Sequence, residues 1–213
     1  MYTRKGWTWD DNGAIAYAPT DDPRVLALIG LDEYPEPPDY DATAPTILGY
    51  EYGPRATLTK LGEESDADGV LDGWIKVRSL LDEDTADRYA RIFHGAEVIH
   101  SQSSVGRYSW AVTFDTPAWR DRIGMERDSG IDAAAYEVDA YLNGEVFFIG
   151  YAYHEARVTD ETPLPDPLNL ESEGWTVEWT HGVTYGLEAA QRSALIFEHH
   201  APQLPELLDV TAS

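Results

Sequence analysis

The chain has 213 residues, 43% of them hydrophobic, with seven Trp and thirteen Tyr, which is enough to bury a core and too many for a disordered tail. Thirty-nine acidic against fifteen basic residues give a formal charge of −24, and such a surface would repel a free nucleic-acid duplex. There is no Cys, which excludes disulfides, Cys-ligated zinc, iron–sulfur clusters and thiol nucleophiles.

Three origins of the charge fit the composition. Only three of the bases are Lys, an acid-rich and Lys-poor balance that suits a halophilic or high-GC host. An acidic surface also lets DNA slide past without sticking. The third origin is mimicry of DNA phosphates to block a DNA-binding enzyme. The first is compatible with either of the others. The opening MYTRKGWTWDDNG has no apolar h-region, so no signal peptide is expected. Runs such as VFFIG are too short to span a membrane, and a cytoplasmic setting is expected.

In chain order, residues 1–30 alternate short β-type runs (GWTW, AIAYA, VLALIG) with turn signals at Asp11-Asn12-Gly13 and Asp21-Asp22-Pro23. Residues 34–45 hold Pro35, Pro37, Pro38 and Pro45 and read as an irregular arm, long enough to be functional or gripped by a partner. Ile47 to Thr59 reads as a strand, Gly62 to Gly73 as an acidic loop, and Gly73 to Ser79 as another strand. Asp84 to His94 has helical spacing, with Ala86, Tyr89, Ala90 and Phe93 on one stripe, Asp84 to cap its start and Gly95 to close it. Val105 to Phe114 reads as a strand. DTPAWRDRIG then carries an N-cap at Asp115 or Thr116, Pro117 in the first turn and Gly124 at the end, so a short helix is predicted.

Tyr136 to Val158 reads as a hairpin around Asn143-Gly144, whose residues suit a type I′ turn. That register sets Leu142, Ala140, Val138 and Tyr136 opposite Glu145, Phe147, Ile149 and Tyr151 on one face. The other face pairs Tyr141 with Val146, Asp139 with Phe148 and Glu137 with Gly150. The returning strand EVFFIGYAY is apolar on both sides and must be covered twice, by its own chain or by another copy. A Pro-rich loop, an alternating strand over Trp175 to Thr180, with Trp175, Val177 and Trp179 on one face and Thr176, Glu178 and Thr180 on the other, and a helix over Leu187 to His199 complete the chain. The fold class is therefore mainly β: an antiparallel, β-sandwich or barrel-like arrangement with two or three flanking helices.

The expected organisation is one β-rich domain over residues 1–213 with the Pro-rich arm near 34–45. A possible repeat keeps an alternative open. ILGYEYGPRA from Ile47 resembles FIGYAYHEAR from Phe148, and Gly73-Trp74 and Gly174-Trp175, like Trp9 and Trp110, lie at the same spacing. Either these are recurrent strand residues, or the chain holds two tandem β units at about 1–103 and 104–213.

Chemical motifs are sparse. No Walker loop, GxGxxG, GxSxG or HExxH occurs. The six His are scattered. In ESDADGVLDG, Asp66, Asp68, Asp72 and Gly69 have the look of a calcium loop, but Ile75 stands where an EF-hand places its bidentate Glu, and a solvated loop is the simpler reading. No catalytic residue, metal site or cofactor is expected, and the chain does not read as an enzyme.

From Tyr108 to Gly186 the order of elements is strand (RYSWAVTF), capped helix (TPAWRDRIG), strand into an Asn-Gly turn (AAYEVDAYLNG), apolar strand (EVFFIGYAY) and alternating strand (WTVEWT). This order resembles the core of the tail tube proteins of long-tailed phages and related viruses, through Tyr136, Val138, Asn143, Gly144, Val146 and Gly150. The resemblance implies a virion structural protein, assembled in the host cytoplasm, that stacks with copies of itself in rings and meets other tail proteins. DNA would pass along the channel without specific binding. Phe148, Val146 and Ala152 are then the expected assembly interface, and Glu137 and Asp139 the expected channel-facing acids. The alternative function is an acidic DNA-mimic inhibitor of a host defence enzyme.

Overall fold

The computed structural model describes residues 2–4, 6–38, 44–50, 58–63, 66, 69–101, 108–124, 130–155, 165–202 and 204. The chain divides into two compact units: Met1–Glu33 joined by Val146–Ser213, and the intervening Tyr34–Glu145. Neither the single domain nor a boundary near residue 103 describes this division. The cause is a strand at residue 146 that returns to pair with one ending at residue 31.

The discontinuous unit is built on a six-stranded antiparallel sheet. Its strands are β1 (Tyr2–Arg4), β2 (Trp7–Trp9), β3 (Ile15–Pro19), β4 (Val25–Leu31), β9 (Val146–Tyr153) and β10 (Thr176–Tyr185), in the order β1-β2-β3-β4-β9-β10. The two turn signals lie where expected. The buried Asp10 carboxylate accepts from the Ala14 and Ile15 amides at 2.7 and 3.0 Å and closes the β2–β3 turn. The Thr20 hydroxyl donates to the Val25 carbonyl at 2.9 Å across the β3–β4 turn.

Strand β4 is apolar throughout because both faces are covered. Ala27 and Ile29 join Trp7, Trp9, Ala16, Ala18 and Phe147 in a core completed by Ala190 and Ala194 of helix α5 (Leu187–Phe197). The small alanines let the helix lie close to the sheet. Leu26 and Leu28 point the other way, into a core with Tyr17, Ala152, Leu170 and Trp175. The Tyr17 hydroxyl donates to the Pro165 carbonyl at 2.8 Å and ties that covering segment to the sheet.

The intervening unit carries a four-stranded antiparallel sheet of order β6-β5-β8-β7, from β5 (Thr46–Gly49), β6 (Leu58–Leu61), β7 (Glu97–His100) and β8 (Trp110–Thr113). The strand expected over Ile47 to Thr59 is thus two paired strands, with residues 51–57 outside the described set. The start of the strand expected from Val105 also lies outside it. Helices α1 (Val70–Arg78), α2 (Glu83–His94), α3 (Pro117–Ile123) and α4 (Ile131–Leu142) complete the unit. Trp74 packs on Trp110 and Phe114 with ring centroids 5.8 and 6.0 Å away, in a core with Ile47, Leu71, Ala90 and Val112. Of the Pro-rich arm, residues 39–43 are outside the described set, and its end is anchored: Ala44 is buried against Trp119 and Ala134.

Two expected strands are helices. Gly73 to Ser79 belongs to α1, which buries Leu71 and Trp74 three residues apart and whose first amides, Val70 and Leu71, donate to the Asp66 carboxylate at 2.6 and 3.2 Å. The first arm of the expected hairpin is α4, whose buried Ala134, Val138, Tyr141 and Leu142 follow helical spacing. Asn143 has φ −90°, so the type I′ turn does not form; only Gly144, at φ 72°, is left-handed. The Glu145 amide donates to the Ala140 carbonyl at 2.8 Å and the Gly144 amide to the Tyr141 carbonyl at 3.1 Å, a Schellman helix end. Helices α2 and α3 form and are closed by left-handed Gly95 and Gly124 as expected; Thr116 caps α3, whereas α2 is capped by Asp82, with Asp84 inside its first turn, and Phe93 of the expected stripe is exposed. The mainly β, antiparallel class stands, with five α-helices among the described residues rather than two or three. Among the described residues no helix is long and apolar enough to cross a membrane.

The repeat is only partly reflected in structure. Ile47 and Phe148 both lie on strands, but Gly73-Trp74 is inside helix α1 whereas Gly174-Trp175 leads into β10.

Candidate functional site

The face of the six-stranded sheet opposite α5 is covered by the segment from Pro165 to Trp175 near Leu26 and Ala152, and open near Phe148. Glycines create the opening. Gly30 on β4 and Gly150 on β9 carry no Cβ, and the Trp179 indole from β10 lies over both. Trp179 is the cross-strand partner of Gly150, while Gly30 pairs with Phe148. A Cβ on Gly150 would meet the indole at 2.9 Å, and one on Gly30 at 3.1 Å. The indole therefore lies close against the backbone of both glycines and remains partly exposed.

The result is a cleft of about 420 Å³ lined by Ile15, Gly30, Leu31, Phe148, Trp179 and Thr180. A second hollow of about 300 Å³ shares Ile15 and Trp179 with it and extends over Leu168, Leu170 and Val177. Trp179 is 38% exposed and Leu168 53% exposed. The Thr180 hydroxyl donates to the Gly182 carbonyl at 2.9 Å, where pairing between β9 and β10 shifts register past Trp179. Carboxylates stand at the hollow's edge: Glu171 lines it, and Glu173 is exposed beside it in the same helical turn. Burial pushes the Tyr17 phenol above its ordinary value; a hydrogen bond with Thr8 opposes this, and the negative charges of Glu173 and Asp166 add to it.

The expected interface residues divide. Phe148 is half-buried and lines the cleft, but Val146 and Ala152 are fully buried in the cores of their own unit and present no surface to a neighbour. Glu137 and Asp139 lie on α4 in the other unit, not on a hairpin facing Phe148. Both are exposed. Asp139 accepts the Asn143 side-chain amide at 3.0 Å as part of the helix end, and burial around Glu137 raises its carboxyl above the ordinary value. Sequence reasoning placed Trp179 on an apolar face but missed the two glycines that accommodate it.

Other polar groupings serve the fold. Asp66 caps α1, and Asp72 pairs with Lys60 at 3.0 Å, so both candidate calcium ligands in the described part of that loop are engaged; Asp68 is outside it. Asp87 of α2 is buried, with Arg78 Nη1 and His100 Nε2 each 3.6 Å away. Burial raises the Asp87 carboxyl, against the opposing pull of Arg78 and His100. Among the described residues no three potential ligands converge on a metal position. Compared with known proteins, the chain matches no family model, no curated protein and no solved structure.

Proposed function

We propose that this chain is a structural protein that associates with copies of itself, and that the cleft at Phe148 and Trp179 is a contact surface in that association. One observation carries this: α5 and the covering segment close over much of the sheet, yet an apolar hollow beside the partly exposed Trp179 indole remains open. An open aromatic site in an otherwise acidic surface is suited to a protein partner and poorly suited to a nucleic acid. The resemblance to tail tube proteins implies the narrower form, a viral tail component whose rings surround a DNA channel. Support for that form is thinner than the whole resemblance, because α4 stands where its first hairpin strand would be. What remains is the order of β8, the capped α3, the apolar β9 and the alternating β10.

Light scattering after size exclusion, with negative-stain microscopy at low and high salt, tests the proposal. The expected result is a discrete oligomer, ring or tube that Phe148→Asp dissolves into folded monomers. A chain that stays monomeric at both salts overturns it. If that monomer also blocks a DNA-binding nuclease, DNA mimicry takes its place.

A further inference from the structure

We infer that the surface entering the cleft is the C-terminal end of α2 on a second copy, so that copies join head to tail. This rests on the self-association proposed above and supplies its other half. Helix α2 turns Ala86, Asp87 and Ala90 inward, yet Ile92 and Phe93 face solvent at 70% and 67% exposure. Phe93 is held ready by Tyr89, its neighbour one turn earlier, at a ring separation of 4.8 Å. A phenyl ring such as that of Phe93 fits a hollow of about 420 Å³ lined by Phe148 and Trp179, with Ile92 beside it on the helix.

Charge selects the pairing. At −24 overall, most encounters between copies are repulsive. Arg88 and Arg91 are exposed on the same helix as the apolar pair. Arg88 has no ion-pair partner among the described residues, and Arg91 reaches the Val98 carbonyl at 3.5 Å and acts on Asp87 through its charge. The adjoining hollow, which shares Ile15 and Trp179 with the cleft, supplies the opposite sign through Glu171, with Glu173 exposed in the same helical turn. Basic residues flanking a hydrophobic pair thus meet acids flanking a hydrophobic hollow, which steers and orients association. An arginine stacked on the partly exposed Trp179 indole would also repeat a contact this chain makes elsewhere: the Arg78 guanidinium sits 4.0 Å from the Trp110 ring centroid. Because two different surfaces meet, the contact is heterologous. It closes into a ring or continues as a filament, depending on the rotation between copies.

The test is complementation between full-length variants in sedimentation velocity. Phe93→Asp removes the entering group, and Phe148→Asp spoils the cleft. Leu168→Asp, in the hollow that adjoins the cleft through Ile15 and Trp179, serves as a second variant on the cleft side, since Leu168 is 53% exposed and lies outside the core strands. Each variant alone is expected to associate at least tenfold more weakly than the unsubstituted chain. An equimolar mixture of Phe93→Asp with either cleft variant is expected to form a one-to-one pair and nothing larger, because one intact surface of each kind remains. If Phe93→Asp assembles normally while the cleft variants do not, or if the mixtures form no pair, the α2 assignment is overturned and self-association stands. If the unsubstituted chain does not associate, both fall.

Discussion

Each sheet holds a tryptophan directly across from a glycine, Trp110 from Gly49 and Trp179 from Gly150. In both, the missing Cβ lets the indole lie against the neighbouring strand. Trp110 is 2% exposed, roofed by the Arg78 guanidinium and by Trp74. Trp179 is 38% exposed and borders a cleft. The same local device thus completes a core in one unit and leaves a surface in the other. What separates the outcomes is whether the chain supplies a cover: α1 delivers Trp74 and Arg78 to Trp110, and the covering segment over the six-stranded sheet stops short of Trp179.

The largest effect expected from this contrast is on stability. Trp110→Ala should cost about 3–5 kcal/mol in urea unfolding, as for a fully buried aromatic side chain. Trp179→Ala should cost less than about half as much and instead abolish association; equal stability losses would break the contrast. Next, Arg78→Ala should cost about 2–4 kcal/mol, because it uncovers Trp110 and strands the buried Asp87. It should also shift the tryptophan emission to the red.

The same variant has a signature in pH. Burial already raises the Asp87 carboxyl, and Arg78 holds that rise in check. Removing the arginine should move the Asp87 midpoint further up in a carboxyl-carbon NMR titration. A carboxyl raised on folding favours the native state below its unfolded pKa, and that contribution is lost as pH rises through the folded value. Arg78→Ala should therefore lose more stability at neutral pH than in mild acid. A loss independent of pH would show that the guanidinium acts as a lid on the indole and not as a partner to Asp87. The smallest effects come from the glycines. Gly49→Ala must displace an enclosed ring and should cost about 1–3 kcal/mol. Gly30→Ala meets only the rim of the Trp179 ring, at 3.1 Å, and should cost under about 1 kcal/mol while weakening association.

Elements with complete local punctuation were legible. Helix α3 has its cap, proline and closing glycine within nine residues, and α2 has an apolar stripe closed by Gly95. β4 was readable as a short β-type run and β9 as a strand apolar on both faces. Two helices were misread for different physical reasons. In α1, Gly73 and the mixed run GWIKVRS hide a stripe that depends on Leu71, further upstream. Before β9, Asn143-Gly144 is ambiguous, because a left-handed glycine ends a helix as well as it turns a hairpin; Ala133 to Ala135, strong helix formers, were the deciding signal. The cleft was half visible. Phe148 and Trp179 could be assigned to faces, but whether Val146 and Ala152 were exposed depended on pairing between β4 and β9 across more than a hundred residues, which no local pattern encodes.

That pairing has a bearing on how the molecule is made. β4 leaves the ribosome early, while its partner β9 follows only after all of Tyr34–Glu145 has been translated. At roughly 5–20 residues per second, the wait is on the order of ten seconds. Through that interval the backbone edge of a strand reading VLALIGL stands unzipped, while the later-made middle of the chain can already collapse on its own. Nascent chains crowded on one message are thereby most vulnerable to wrong strand exchange before synthesis reaches residue 146, so slowing translation between residues 34 and 145 should raise aggregation more than slowing it afterwards.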